Sequence, residues 1–509
     1  MRKTLLLAAA IFTFSANAQK IKSFGITGTV AVKLENISRP LSSIPEKAPT
    51  EAELRGPKTE KDNPSLERPH ISFKKGALPI GEDPAIQNMS QPANAIAATT
   101  VNTISNWAGL TAAVQPSDNS IAVGRNHVVQ MTNNSVSTYI RVWNKAGTVL
   151  ISNKLASDIT GITDYGDPNL LYDEQADRYL FVLLYSKSAK KLVLAASTTP
   201  DPTGTWYTYS FTTANGFPDY PKIGVWGNSY FITTNSSQPS IYALNRSAIL
   251  AGQAIGTAQL FSLSKFGSLS FQSASPISQA GPVAPAANAP ASVIRVADDA
   301  WSSTTGPDRL EIYKLNINWT NTTLSTISGP FNLYTTAYNS NLCGFGSSGC
   351  IPQPGANTKL LDPLSDIVMD KVQYRNFGTF ESITCSHICN ADGNGKAGIR
   401  WYELRKSGTS DWSIYQQSTW SPDVNHRFMS SIAMNQNGQV ALGYNISSSS
   451  VFPGIRITGR DSCDPINNMT VPEAIVKSGA AANSSSRYGD YNGMVVDPVD
   501  NSFWFTANY

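Results

Sequence analysis

From Trp107 onward the sequence predicts an all-β fold of the β-propeller type, and three observations carry that prediction. Short runs rich in Val, Ile, Tyr, Phe, Trp and Thr alternate with Gly, Asn, Asp, Ser and Pro, the pattern of strands joined by tight turns. Amphipathic helical periodicity is scarce. One block also recurs, in PSDNSIAVGRNHVVQMTNN (116–134), YGDPNLLYDEQADRYLFVLL (165–184), FPDYPKIGVWGNSYFITTN (217–235) and YGDYNGMVVDPVDNSFWFTAN (488–508). Each begins with an acidic residue beside Pro, Tyr or Asn, then runs strand, polar turn, strand, and repetition at this scale is the mark of a blade.

Three weaker blocks extend the series: PASVIRVADDAW (290–301) with RLEIYKLNINW (309–319), YRNFGTFESITCSHIC (374–389) and HRFMSSIAMNQNGQVALGYN (426–445). Seven leads predict seven blades, with six or eight also compatible. Their mean spacing is about 62 residues against roughly 40–50 for a blade, so long insertions are expected at 263–290 and 328–362. Few residues follow Asp490, so either an N-terminal strand completes the last blade or the chain continues beyond this sequence.

The N-terminus carries Arg2 and Lys3, an apolar stretch from Thr4 to Phe14, and Ala16-Asn17-Ala18, the order of a secretory signal peptide over residues 1–18. No Cys follows the cleavage site, so lipid anchoring is not indicated, and a secreted product, periplasmic or extracellular, is expected. Residues 19–100 are rich in Lys, Glu, Pro, Ser and Ala and read as a disordered, low-complexity pro-segment or linker, with Ile71 to Phe73 as a short candidate strand. The propeller is then residues 101–509. Lys plus Arg number 39 against 36 Asp plus Glu, which argues against a nucleic-acid footprint, and no run approaches the length of a membrane-spanning helix.

The five cysteines lie in an oxidising destination. Cys343 and Cys350 bracket the loop CGFGSSGC, short enough to close as a disulfide. Cys385, His387 and Cys389 alternate and share one strand face, where Cys385 and Cys389 are too far apart to bridge. Packing, a bridge from Cys463 to one of the pair, and a loose zinc site remain open for them.

Several blocks, namely PSDNSIAVGRNHVVQMTNN, GDPNLLYDEQADRYLF, STTPDPTGTWYTYSF, FPDYPKIGVW and RYGDYNGMVVDP, resemble a family of large secreted or surface proteins of Bacteroidetes-type bacteria, mostly of unassigned function. The resemblance covers about residues 115–509. It implies a propeller-like domain, further strands after FWFTANY and a C-terminal sorting domain, neither of which this sequence includes, and it carries no catalytic residues.

In a propeller the first strand of each blade lines the channel, so residues just ahead of those strands gather at one mouth. Here they are Asp118, Asp167, Asp219, His426, Arg427, Arg487 and Asp490, with Arg375 and Glu381 nearby. Such a ring can hold Ca²⁺ through hard oxygen ligands or grip a sugar by hydrogen bonds; equally, Asp before Pro, Tyr or Asn caps turns. The expected function is non-enzymatic binding of a carbohydrate, protein or surface ligand at this mouth. The alternatives are a glycan-acting hydrolase using the same carboxylates and a structural scaffold. No Gly-x-Ser-x-Gly elbow or HExxH helix is present. TPDPTGTW (199–206) is similar to the Asp-box turn of sialidase-type propellers, a structural turn between outer strands.

Overall fold

The computed structural model describes residues 21–46, 59–60, 74–87, 100–112, 114–186, 188–266, 271–302, 304–343 and 349–509. The signal-peptide reading and the strand expected at Ile71 to Phe73 fall outside these residues. No described helix is long and apolar enough to cross a membrane.

The strands arrange as seven blades around a closed ring. From the channel outward, the first blade is Ser120–Val123, His127–Thr132, Tyr139–Asn144 and Val149–Leu155. The second starts at Gly166–Asp173 and ends at Trp206–Thr212, and the third runs from Asp219–Trp226 to Thr257–Ser262. The fourth runs from Ser275–Ala280 to Thr326–Tyr334, the fifth from Val372–Asn376 to Ser413–Trp420, and the sixth from His426–Met434 to Val471–Lys477. The seventh has two strands, Gly493–Val496 and Phe503–Thr506. Within each blade the strands pair antiparallel, as hairpin-linked neighbours must. Innermost strands of successive blades pack side by side, and the seventh meets the first.

The core lies between blades. Leu180, Val182, Leu192 and Leu194 of the second blade face Ile223, Tyr230, Ile232 and Tyr242 of the third, and Phe428, Ile432 and Leu442 of the sixth meet Ile388, Ile399 and Trp401 of the fifth. Both faces of these inner strands are therefore buried, which is why they read as near-continuous apolar runs rather than alternating ones.

Three sequence expectations change. The stretch 263–290 is not a plain insertion, because it contains the fourth blade's innermost strand; Ser275–Ala280 (SPISQA) is short and polar, and it pairs in parallel with Val372–Asn376 across the blade boundary. PASVIRVADDAW is then the fourth blade's second strand, Ala291–Ala297. The described part of the N-terminal segment is also structured. Lys22–Gly25 adds to the outer edge of the fourth blade, and Gly28–Ile37 pairs on one side with Thr257–Ser262 and on the other with Trp206–Thr212. That strand joins the second and third blades into one nine-stranded sheet and covers two edges that would otherwise be free to pair with another chain.

Further along, Asp83 enters the fifth blade. Its carboxylate pairs with Arg400 and accepts from Thr419 Oγ1 at 2.8 Å, with both members of the ion pair fully buried. Ala85 and Gln87 exchange backbone bonds with Thr419. Among the described residues no N-terminal strand pairs with the seventh blade; instead Trp107 packs on Trp504 and Trp143, with ring centroids 5.4 and 6.4 Å away. Ser117 Oγ donates to Asn508 Oδ1 at 2.6 Å and Gln130 Nε2 to Thr506 Oγ1 at 2.7 Å, which fastens the last blade to the first.

Cys343 and Cys350 form the disulfide. Cys385, Cys389 and Cys463 are free thiols, the first two buried and the last exposed, so the bridge from Cys463 is not formed, and among the described residues the His, Cys, Asp and Glu side chains grouped closely enough for a metal do not include them. His387 is packed between Tyr338 and Tyr402, with Nε2 3.0 Å from the Tyr402 hydroxyl, and burial pushes it down to about 3. In TPDPTGTW, Asp201 Oδ1 accepts from the Thr203 N–H and the Trp206 indole donates to Pro202 O, a turn between the outer two strands of the second blade.

Candidate functional site at the channel mouth

A repeated asparagine builds the mouth. Asn133 follows the second strand of the first blade; its amide donates to Asp118 Oδ2 at 2.6 Å while its Oδ1 accepts the backbone N–H of Asp167 in the next blade at 3.0 Å. Asn235 repeats this in the third blade, holding Asp219 at 3.4 Å and accepting from Gln272 N at 3.1 Å. Asn445 in the sixth accepts from Asn492 Nδ2 at 2.6 Å. An Asn at or near the end of the second strand thus serves as a stitch from one blade to the next.

The backbone at this end is strained. Asp118, Asp167, Tyr220, Leu364 and Met429 have φ between +46° and +56°, a left-handed conformation that costs a non-glycine residue of order 1 kcal/mol. Strand register slips around Asp167, Tyr220 and Met429. A slip of this kind bends the strand and re-aims the side chains beside it.

Asp118, Asp167, Asp219, Arg487 and Asp490 come together. With Tyr165, Tyr220, Phe271, Pro116 and Asn133 they line one void of ≈ 20 Å³, room for a single water-sized group. Asp118, Asp219 and Asp490 are 1–3% exposed. The Arg487 guanidinium pairs with Asp490. Burial works against its charge, but Asp490, Asp362, Asp118 and Asp219 outweigh burial and hold its pKa above the ordinary value. Tyr491 donates to Asp167 Oδ2 at 3.1 Å and Tyr220 to Asp490 O at 2.6 Å; burial first, and these carboxylates next, keep both phenols neutral.

Below the mouth the channel is filled. Asn169 spans it, donating to Asp370 Oδ2 at 2.9 Å and accepting from Ile223 N at 3.0 Å. Lys222 lies fully buried between Ser275 Oγ at 2.9 Å and Val368 O at 2.6 Å, and burial pushes it down to about 8. A polar floor therefore closes the mouth from beneath.

The remaining expected residues lie elsewhere. Arg375 sits at the far end of its strand, donating to Met434 O at 2.9 Å beside Glu174; burial lowers it to about 10. Glu381 is at that same end, bonded to Tyr374 and Lys406. The fifth blade begins earlier than the sequence suggested. Its lead is Asp362-Pro363 with Asp370 following, and the Asp-Pro pair seen at Asp167-Pro168 is the signal that would have found it. His426 accepts from the Ala397 N–H of the fifth blade at 3.2 Å, and Arg427 is held by Asp423 and by Glu473 of the sixth blade's outermost strand at 2.8 Å each; neither lines the mouth void.

For a divalent cation, the described carboxylates whose oxygens lie within 4.8 Å of one another are Asp298, Asp299 and Asp308, in a hairpin of the fourth blade and not at the mouth.

No protein-family model matches the sequence, and no curated protein does. Among solved structures, a thermostable family-43 glycoside hydrolase overlays 63% of this chain and 98% of its own at 13% identity and TM-score 0.28. The Penicillium chrysogenum α-L-arabinanase complexed with arabinobiose overlays 68% and 92% at 10% identity and TM-score 0.34. The WD40 domain of SCAP from fission yeast overlays 69% and 74% at 8% identity and TM-score 0.30. At such scores these overlays decide nothing about activity; the propeller assignment rests on the strand order above.

Proposed function

We propose that this is an exported binding propeller whose channel mouth takes a polar group, a hydroxyl or an amine, of a carbohydrate, protein or surface ligand. The observation that carries this reading is the convergence of Asp118, Asp167, Asp219 and Asp490 with Arg487 and the rings of Tyr165, Tyr220 and Phe271 on one void. Carboxylates accept from hydroxyls and amines, and the guanidinium donates. The polar floor limits entry to the depth of the mouth. The leader sequence and the Cys343–Cys350 disulfide support export.

A second reading, hydrolysis of a glycan, is favoured by the same clustering, since a glycosidase needs two carboxylates flanking one bond. One experiment tests both. The mature chain is screened by thermal shift against neutral, amino and acidic oligosaccharides, and each ligand found is incubated for release of new reducing ends. The binding reading expects a rise in melting temperature that is lost in the variant carrying Asp167→Asn, Asp219→Asn and Asp490→Asn, with no turnover. Turnover lost in that variant establishes the hydrolase instead. Ligands that stabilise the variant as well as the parent overturn both.

A further inference from the structure

A second cavity lies away from the mouth. A groove of ≈ 420 Å³ runs along the outer rim, between the last strand of the fifth blade and the N-terminal stretch that pairs with it, closed at one end by Asn467 and Asn468 of the sixth blade. Its volume falls in the range of small-molecule sites. None of the side chains that line it is ionisable in the physiological range: the walls are Gln416, Gln417, Asn467, Asn468, Thr336 and Tyr415, with Ile86 and Ile414 as apolar patches.

The amides are held by their acceptor ends. Gln417 Oε1 accepts from the Thr336 N–H at 3.1 Å, and Asn467 Oδ1 accepts from the Gln417 N–H at 2.9 Å. Each is fixed in orientation, and neither NH₂ group has a partner among the described residues. Tyr415 is 43% exposed, yet its ring is not loose, because the Arg405 guanidinium lies 3.5 Å from its centroid and 4.3 Å from that of Phe380. The groove thus offers oriented donors and a positioned aromatic ring, with no charged side chain among the residues that line it. A peptide added as a further strand is disfavoured, because the edge is already occupied: Thr419 N donates to Ala85 O at 2.8 Å and Gln87 N to Thr419 O at 2.9 Å.

We propose that this groove is a second ligand site, separate from the mouth, and that it binds a neutral saccharide. Ring hydroxyls accept from the Gln417 and Asn467 amides, while an apolar sugar face rests on Tyr415 and Ile414. The cations beside the lining are already engaged, Arg405 by Glu403 and Arg460 by Gln416 Oε1 and Asp464 O, so an acidic sugar is disfavoured by desolvation.

The test is calorimetric titration of the full mature chain with xylotetraose, arabinotetraose and maltotetraose, and with tetragalacturonate as the charged counterpart. At least one neutral tetrasaccharide binds saturably, and tetragalacturonate binds at least about tenfold more weakly to the groove. Tyr415→Ala weakens the neutral ligand by about tenfold and Asn467→Ala by roughly threefold or more, while Asp219→Asn at the mouth leaves that affinity unchanged. Absence of saturable binding by all three neutral sugars overturns the proposal. So does binding that survives Tyr415→Ala with Asn467→Ala; if it is then lost in Asp219→Asn, the ligand belongs to the mouth.

Discussion

Buried carboxylates gather in two places in this molecule, and their surroundings differ. At the mouth, Asp118, Asp219 and Asp490 surround the Arg487 guanidinium. In the fourth-blade hairpin, Asp298 and Asp308 are equally buried, but among the described residues no Lys, Arg or His pairs with either. There the stabilisation is by backbone donors: Asp298 accepts from Ala300 N at 2.6 Å and Ser340 N at 2.7 Å, and Asp308 from Asp299 N at 2.6 Å and Tyr338 N at 2.7 Å. Those bonds do not offset burial, which pushes Asp298 up to about 6 and, together with the charge of Asp298, pushes Asp308 up to about 7. The mouth carboxylates thus have a countercharge in Arg487, whereas the hairpin pair has none and burial favours its protonated form up to near neutrality.

The sharpest way to break this contrast is to remove the countercharge. Arg487→Met is expected to cost about 3–5 kcal/mol of unfolding free energy at pH 7, as for a buried ion pair that loses one partner. A variant within about 1 kcal/mol of the parent would show that Arg487 does not organise the mouth.

The hairpin supplies the next largest effect. In the unfolded chain these carboxylates ionise near their ordinary value; between that value and about 7 the folded state holds more protons, so stability falls as pH rises. A loss on the order of 3 kcal/mol from pH 5 to pH 8 is expected, measured by urea unfolding at each pH. Asp308→Asn should flatten that profile, and a parent profile rising over this interval would contradict the assignment. Smaller still, Asp219→Asn should change stability by no more than about 1 kcal/mol while abolishing ligand binding at the mouth. Tyr415→Ala, at the exposed groove, should stay within about 0.5 kcal/mol.

Much of this was legible in the sequence, and the parts that were not have physical causes. The acidic leads at Asp118, Asp167, Asp219 and Asp490 were visible because an Asp beside Pro, Tyr or Asn precedes an apolar run, and all four reach the same void. Asp362 has that signature too, but fell within the long connection from the fourth blade to the fifth, so YRNFGTFE was mistaken for a blade start and Arg375 and Glu381 were placed at the wrong end. Ser275–Ala280 escaped because a strand lining the channel between two blades needs neither alternation nor large apolar residues. Gly28–Ile37 was hidden by the composition around it: GTVAVKLENI alternates, but it lies in a polar, Pro-rich segment, and only two open blade edges in space make it a strand. The neutral groove left no sequence signal, since Gln417 and Asn467 lie 50 residues apart.

The central claim is that the mouth, built on strained acidic leads, is a recognition site distinct from the rim. Its most direct test is the calorimetric affinity of the best ligand from the oligosaccharide screen for the parent, for the variant with Asp167→Asn and Asp219→Asn, and for Tyr415→Ala, measured side by side at pH 7. A mouth ligand should lose about tenfold or more of its affinity in the double Asp variant and none in Tyr415→Ala. Unchanged affinity in a folded double Asp variant, for every ligand found, would contradict the claim.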